Sequence, residues 1–272
     1  MPVDKYFFGT IGNDRGATAL HGTDSSNFVD HIYGYNGHDQ LYGYAGTDFL
    51  YGADGDDLLD GGTGVDFIFG GSGFDVLTYD SSSAAVNVSL LTGAASGGSA
   101  SGDTFAQIES LVGSNYGDVL EGSNSGTNAL DGGKGNDTLR GNGGFDLLEG
   151  GRGNDVLDGG TGVDALWGEQ GADRFVYDSV ADAPSGTAAR ETIGDFSQAE
   201  KDKIDLSGLA TGNGDAKFDF VGSSSFYEAG QVRYVHDGAS TAVQINTDAD
   251  NQAEMTIWLS GTFNLKAGDF VL

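Results

Sequence analysis

Cysteine is absent from the sequence, so neither a disulfide framework nor a thiolate nucleophile is open to it. Two prolines stand against 48 glycines, which excludes a collagen-like repeat or a Pro/Gly linker and leaves glycine to serve a recurring backbone need. Basic residues are scarce too: 12 Lys and Arg face 41 Asp and Glu, a net charge of −29. Such a chain is a poor partner for nucleic acid or an anionic membrane, and calls for cations. No run approaches the ~18 apolar residues of a membrane span, and no span is expected. The opening MPVDKYFFGTIGND lacks an apolar h-region, so a cleaved N-terminal signal peptide is not expected. H-E-x-x-H and G-x-S-x-G are missing as well. The four histidines, His21, His31, His38 and His236, are scattered and read as surface or packing residues, so no enzymatic activity is expected.

What is present is a period of nine. From Gly34 the chain reads GYNGHDQLY, GYAGTDFLY, GADGDDLLD, GGTGVDFIF and GGSGFDVLT. From Gly132 it reads GGKGNDTLR, GNGGFDLLE, GGRGNDVLD, GGTGVDALW and GEQGADRFV. Positions one and four are Gly, position six is Asp and position eight is a large apolar residue in every unit. Weaker copies flank these blocks: GTDSSNFVD from Gly22, GSNYGDVLE from Gly113, and GSNSGTNALD from Gly122, with Asn128 in place of Asp. Residues 79–112 break the period, with a short strand expected in AAVNVSLL followed by a Gly/Ser-rich loop.

Each unit divides into a six-residue turn and a three-residue strand, because Gly at positions one, two and four permits positive φ and positions seven to nine favour β-structure. Alternation then points position eight inward and positions seven and nine outward. One such strand buries little alone, so two units must make one turn of a flattened coil, with stacking between units eighteen residues apart. Asp39, Asp57 and Asp75 fall in one column, Asp48 and Asp66 in another. Asp137, Asp155 and Asp173, and Asp146 with Asp164, form two more, and Asp118 of the copy from Gly113 is a further candidate ligand. Stacked strands lie about 4.8 Å apart, and carboxylates about 5 Å apart repel by roughly 3 kcal/mol at an effective dielectric of ~20. A divalent ion between turns removes that repulsion, and an oxygen-only donor set on a flexible loop suits Ca²⁺ better than Mg²⁺ or zinc. Binding is then coupled to folding.

The units match G-G-x-G-x-D-x-U-x, and over residues 22–176 the chain resembles the calcium-binding RTX repeat proteins. That resemblance implies that turn carbonyls such as those of Gly62, Gly64, Gly151 and Gly153 share each ion with the stacked aspartates. GADRFVY at 171–177, IGDF at 193–196, DKIDLSGL at 202–209, QVRYV, TAVQI and the ending AGDFVL resemble the C-terminal region of serralysin-type metalloproteases. This implies an uncleaved C-terminal signal for a type I exporter, Asp269 followed by Phe270, Val271 and Leu272, and an extracellular location for a protein of a Gram-negative bacterium. Asp195 and Asp202 either close a last ion site or serve as turn residues. NTDADNQAE, with Asp248 and Asp250, is similar to an EF-hand loop but has Ala253 at the glycine position and Leu259 where the bidentate Glu belongs.

The expected fold is all-β: two right-handed parallel β-roll blocks followed by a β-rich C-terminal capping and secretion domain. The boundaries are 1–33 for an N-terminal cap, 34–78 for the first roll, 79–112 for a connector, 113–176 for the second roll and 177–272 for the serralysin-like region. Outward positions seven and nine gather Phe49, Tyr51, Phe67 and Phe69 into a four-ring patch. It either packs against the connector or C-terminal region or receives an extracellular polysaccharide or protein. The leading functional reading is a secreted, non-enzymatic protein that folds on binding several Ca²⁺ ions after type I export. The alternatives are the calcium and secretion module of a larger enzyme, a metalloprotease or mannuronan epimerase, and a polysaccharide-binding module.

Overall fold

A computed structural model of the chain describes residues 3–9, 20–23, 28–186, 190–211, 217–248 and 250–272. It is built almost wholly of short strands, most of them parallel, and divides into two compact units, Met1–Ser123 with Ala129–Asp137, and Asn124–Asn128 with Thr138–Leu272.

In the first unit one sheet runs in the order Val3–Phe8, Phe28–Asn36, Phe49–Asp54, Phe67–Ser72 and Thr104–Ala106. The opposing sheet runs Leu20–His21, Gln40–Tyr42, Leu58–Asp60, Val76–Thr78, Ser110–Val112 and Ala129–Asp131. Leu41 pairs with Leu59 and Leu50 with Ile68, the eighteen-residue register of a coil with two units per turn. Ile32, Leu50 and Ile68 from one sheet and Leu41, Leu59, Leu77 and Leu111 from the other are fully buried, so position eight supplies the core. The expected strand in AAVNVSLL is Asn87–Ser89, which pairs in parallel with Val119–Glu121. Thr104–Ala106 and Ser110–Val112 add strands to both sheets of the coil.

Two details of the turns differ from expectation. Positive φ occurs at positions two and four, as in Gly62 (84°) and Gly64 (144°), but not at position one. Glycine is needed there for space: a Cβ on Gly43 would sit 2.5 Å from the Gly61 carbonyl oxygen and 2.9 Å from Asp48 Oδ2. Tyr35, Tyr44, Ala53, Asn142 and Glu169 occupy position two with positive φ despite their side chains, each at a cost of about 1–2 kcal/mol. The copy beginning at Gly22 is also differently aligned. Gly22 takes position one, but Asp30 rather than Asn27 stacks with the position-six column and Ile32 is the inward residue, so the turn is three residues longer than the repeat. Residues 24–27 of that copy lie outside the described residues.

The outward face of the first sheet carries two ladders of stacked rings. Tyr6, His31, Phe49 and Phe67 follow one another with centroids 4.7, 4.7 and 4.6 Å apart. Phe8, Tyr33, Tyr51 and Phe69 do the same at 5.5, 4.8 and 5.3 Å. Phe49, Tyr51, Phe67 and Phe69 thus stack on their ladder neighbours, and the connector strand Thr104–Ala106 pairs beside Phe67 and Phe69 at the end of the ladders, as one of the two expectations had it.

In the second unit Thr138–Arg140, Val156–Asp158, Arg174–Val176, Lys203–Asp205 and Phe270–Val271 form one parallel sheet. On the other side Leu147–Glu149, Ala165–Trp167, Thr192–Ile193 and Met255–Ser260 stack in parallel before the sheet turns antiparallel through Ser240–Asn246 and Gln231–Asp237. Leu139, Leu148, Leu157, Leu166, Phe175, Ile193 and Ile204 continue the buried column, and Val232, Val243, Ile245, Met255, Ile257 and Leu259 fill the antiparallel part. In the calcium-loaded protein Leu59→Ala is expected to cost about 2–5 kcal/mol, the range for truncating a buried Leu, whereas Leu58→Ala, at a half-exposed position seven, should cost about 1 kcal/mol or less. Denaturant melts of the two variants check this.

Candidate metal centre

The turns bring the aspartates together in ladders. The Asp39 N–H donates to Asp57 Oδ1 at 2.8 Å and the Asp57 N–H to Asp75 Oδ1 at 2.9 Å. The Asp30 N–H donates to Asp48 Oδ1 at 3.0 Å and the Asp48 N–H to Asp66 Oδ1 at 2.9 Å. In the second unit Asn128, Asp146 and Asp164 are linked in the same way, as are Asp155 and Asp173. One carboxylate oxygen of Asp48, Asp57, Asp66, Asp75, Asp146, Asp164 and Asp173 therefore fastens the turn eighteen residues before it.

The other oxygen is the informative one. Oδ2 of Asp48, Asp57, Asp66, Asp75, Asp146, Asp164 and Asp173 is buried with no hydrogen-bond partner among the described residues. It points back across its own turn: a Cβ on Gly61 would lie 2.6 Å from Asp66 Oδ2. A buried oxygen of a charged group left so exposed to low dielectric costs several kcal/mol unless a cation meets it. The donors that line the columns are carboxylate and carbonyl oxygens, as where Asp48 Oδ2 and the Gly61 carbonyl oxygen crowd Gly43, a hard set that fits Ca²⁺.

The ladders reach beyond the repeats. Asp66 N–H donates to Asp103 Oδ1 at 2.9 Å and Asp75 N–H to Glu109 Oε2 at 3.0 Å, so Asp103 and Glu109 close the two columns of the first unit. In the second, Asp164 N–H donates to Glu191 Oε2 at 2.7 Å and Asp173 N–H to Asp202 Oδ1 at 3.0 Å. Asp30, Asp103, Glu109 and Glu191 escaped the sequence reading. Counting back by nine from Asp39 reaches Asp30, but Asp103 and Glu109 stand 37 and 34 residues from their partners, outside any period.

The remaining candidates are placed as follows. Asp118 heads a column through its N–H to Asp137 Oδ1, but its own oxygens accept from the Val86 N–H, the Ser114 N–H and the Ser114 hydroxyl. Asp195 stands outside the ladders and accepts from the Gly168 and Glu169 N–H groups. The Gly151 carbonyl accepts from the Gln170 N–H and the Gly153 N–H donates to the Gln170 carbonyl, so this turn is bonded to the turn stacked on it. Asp248 and Asp250 come within reach of Glu254 on an exposed loop joining two antiparallel strands.

Burial dominates the protonation of the columns. Without a cation, desolvation pushes Asp48, Asp164 and Asp173 up to about 7, Asp66 to about 8, and Asp75 and Asp146 to about 6.

The family model for the peptidase M10 serralysin C terminal matches residues 25–272. Among solved structures, a subunit of the Azotobacter vinelandii mannuronan C5-epimerase is 28% identical, with a TM-score of 0.28, covering 58% of this chain and 78% of that one. A second subunit of that epimerase is 26% identical, with a TM-score of 0.30, covering 61% and 94%. An extracellular lipase from Serratia marcescens is 19% identical, with a TM-score of 0.37, covering 90% and 40%. No curated protein matches the chain.

A raised carboxylate pKa means that the folded coil holds protons more tightly than the unfolded chain, whose aspartates titrate near 4. The stability this confers is complete below about 4 and is lost as pH rises through about 6 to 8. In chelator, acidification from pH 8 to 5 should therefore strengthen the β signal in circular dichroism. In calcium the slope should reverse, because protons compete with the ion. A chelated sample equally folded at both pH values would contradict this.

Proposed function

The chain belongs to the peptidase M10 serralysin C-terminal family, and from that membership we propose that it is a calcium-dependent folding module of an extracellular protein, exported by a type I system and folded only where Ca²⁺ is abundant. The observation that carries the reading is the row of buried, unpartnered Oδ2 atoms along each column. The residues that would hold the ions are Asp39, Asp48, Asp57, Asp66 and Asp75 in one block and Asp137, Asp146, Asp155, Asp164 and Asp173 in the other. Asp30, Asp103, Glu109, Glu191 and Asp202 would serve at the column ends, and turn carbonyls such as those of Gly62, Gly64, Gly151 and Gly153 as further donors. Ca²⁺, when bound, supplies the positive charge that lets these carboxylates share a compact coil. The polypeptide's part is to aim one oxygen of each aspartate along the backbone and the other into the column.

In this reading Asp269 to Leu272 carry the export signal, and their packing supports a link to folding. Phe270 is buried and pairs with Ile204, one strand from Asp202 at the column end. Closing that column would then accompany packing of the tail, which suits a signal that is read while the chain is unfolded.

This module acts without catalysis in our reading, either as a protein in its own right or attached to a catalytic partner domain such as a metalloprotease or epimerase. An extracellular polysaccharide or protein is the partner proposed for the aromatic face of the first unit. The stacked arrangement uses ring faces for neighbour contacts, so the ladder edges and the exposed end rings Tyr6 and Phe8 are what it offers a partner.

Titration calorimetry tests the main proposal: several Ca²⁺ ions should bind with midpoints of ~10⁻⁴ to 10⁻³ M and bring a gain of β signal, with no comparable response to Mg²⁺. No binding in that range would overturn it. Phe49→Ser and Tyr51→Ser should each lower the stability of the calcium-loaded protein by about 1–3 kcal/mol, since each ring has two stacking neighbours. An unchanged melting temperature would show that the ladder does not stabilise the fold.

A further inference from the structure

Tyr79 and Tyr177 follow the last units of the two blocks, in the matching strings Thr78-Tyr79-Asp80-Ser81 and Val176-Tyr177-Asp178-Ser179. Each is 1% exposed. The Tyr79 hydroxyl donates to Asp103 Oδ2 at 3.2 Å, and the Tyr177 hydroxyl donates to Glu191 Oε1 at 3.2 Å. Asp103 and Glu191 are the carboxylates that close a column in each unit, supplied by dissimilar segments 24 and 14 residues after their tyrosines. Two unlike loops thus converge on one arrangement.

Inside a column an aspartate is held from both sides: Oδ1 takes the N–H of the preceding turn and its own N–H is given to the following one, as Asp57 shows. Neither closing carboxylate is followed by another repeat: Asp103 precedes the edge strand Thr104–Ala106, and the Glu191 carbonyl accepts the Trp258 N–H of the strand Met255–Ser260. The Asp103 N–H goes instead to the Ala100 carbonyl. Without another restraint the carboxylate could swing away from Asp66, and the tyrosine supplies that restraint at the oxygen which interior members leave unpartnered. A phenol is protonated at neutral pH, so each remains a donor to its carboxylate.

We propose that Tyr79 and Tyr177 are positioning residues for the last cation of their columns, fixing Asp103 against Asp66 and Glu191 against Asp164 so that each pair can share an ion. This rests on the calcium reading above. The phenol keeps one lone pair of the closing oxygen and leaves the rest of the carboxylate to the metal.

The full chain and its Tyr79→Phe, Tyr177→Phe and doubly substituted variants would be titrated with Ca²⁺, with bound metal counted by equilibrium dialysis. Each single variant should lose one ion, or weaken one site by about tenfold or more, as expected for deleting a hydrogen bond to a charged group. The double variant should lose two. The remaining midpoints should stay within about twofold. Asp103→Asn should reproduce the Tyr79→Phe loss, and combining the two should add nothing further. A full complement of ions at unchanged affinity in both variants, with only a lower melting temperature, would overturn the proposal by assigning the tyrosines to packing. Additive losses in the Asp103→Asn, Tyr79→Phe combination would overturn it too. Failure of the unsubstituted chain to bind calcium would instead remove the calcium reading itself. Should Tyr79→Phe not fold, Tyr177→Phe in the other unit carries the same test.

Discussion

The structure depends on a conflict between stacking and charge. Parallel strands in a coil sit about 4.8 Å apart, and this chain puts a buried carboxylate in each of its ten regular units, with Asn128 taking the place in a flanking copy. Backbone N–H groups satisfy one oxygen of each. The second has nothing in the protein to meet it at seven interior positions in the described residues, so the coil is compact only with added positive charge, from bound cations or from protons.

Other features follow from that choice. Glycine at position one makes room for the aspartate and for the carbonyl of the stacked turn. Many strands have only three residues, so each contributes one fully buried side chain, and the apolar core cannot override the electrostatic cost. The ring ladders of the first unit add stacking on the outer face, where it does not interfere with the columns. At the C-terminal end the antiparallel strands continue the same sheet, and Phe270 packs beside the strand that follows Asp202.

Much of this was legible in the sequence because a strict period writes its own register. Nine residues per unit set the pairing of Leu41 with Leu59, the inward leucines and the ten repeat aspartates. What escaped lies where the period fails. Asp30 sits at the end of a turn lengthened by three residues, so aligning that copy on Gly22 hid it. Asp103, Glu109 and Glu191 arrive by loops of irregular length, and only three-dimensional proximity identifies them as members of the columns. The role of glycine at position one was misread as conformational, when a neighbouring carbonyl and carboxylate leave no volume for a Cβ. Asp202 was legible as a candidate for closure, whereas Asp195 fastens backbone N–H groups outside the ladders.

The most direct test is the radius of gyration at pH 7.5 by X-ray scattering, with calcium and then with excess chelator. A compact chain of this length should measure roughly 20 Å and an unfolded one roughly 58 Å. The account predicts a radius near the lower figure with calcium and a large, reversible expansion toward the higher one on chelation. The same compact radius in both samples would contradict it, because the buried carboxylates would then be tolerated without any ion.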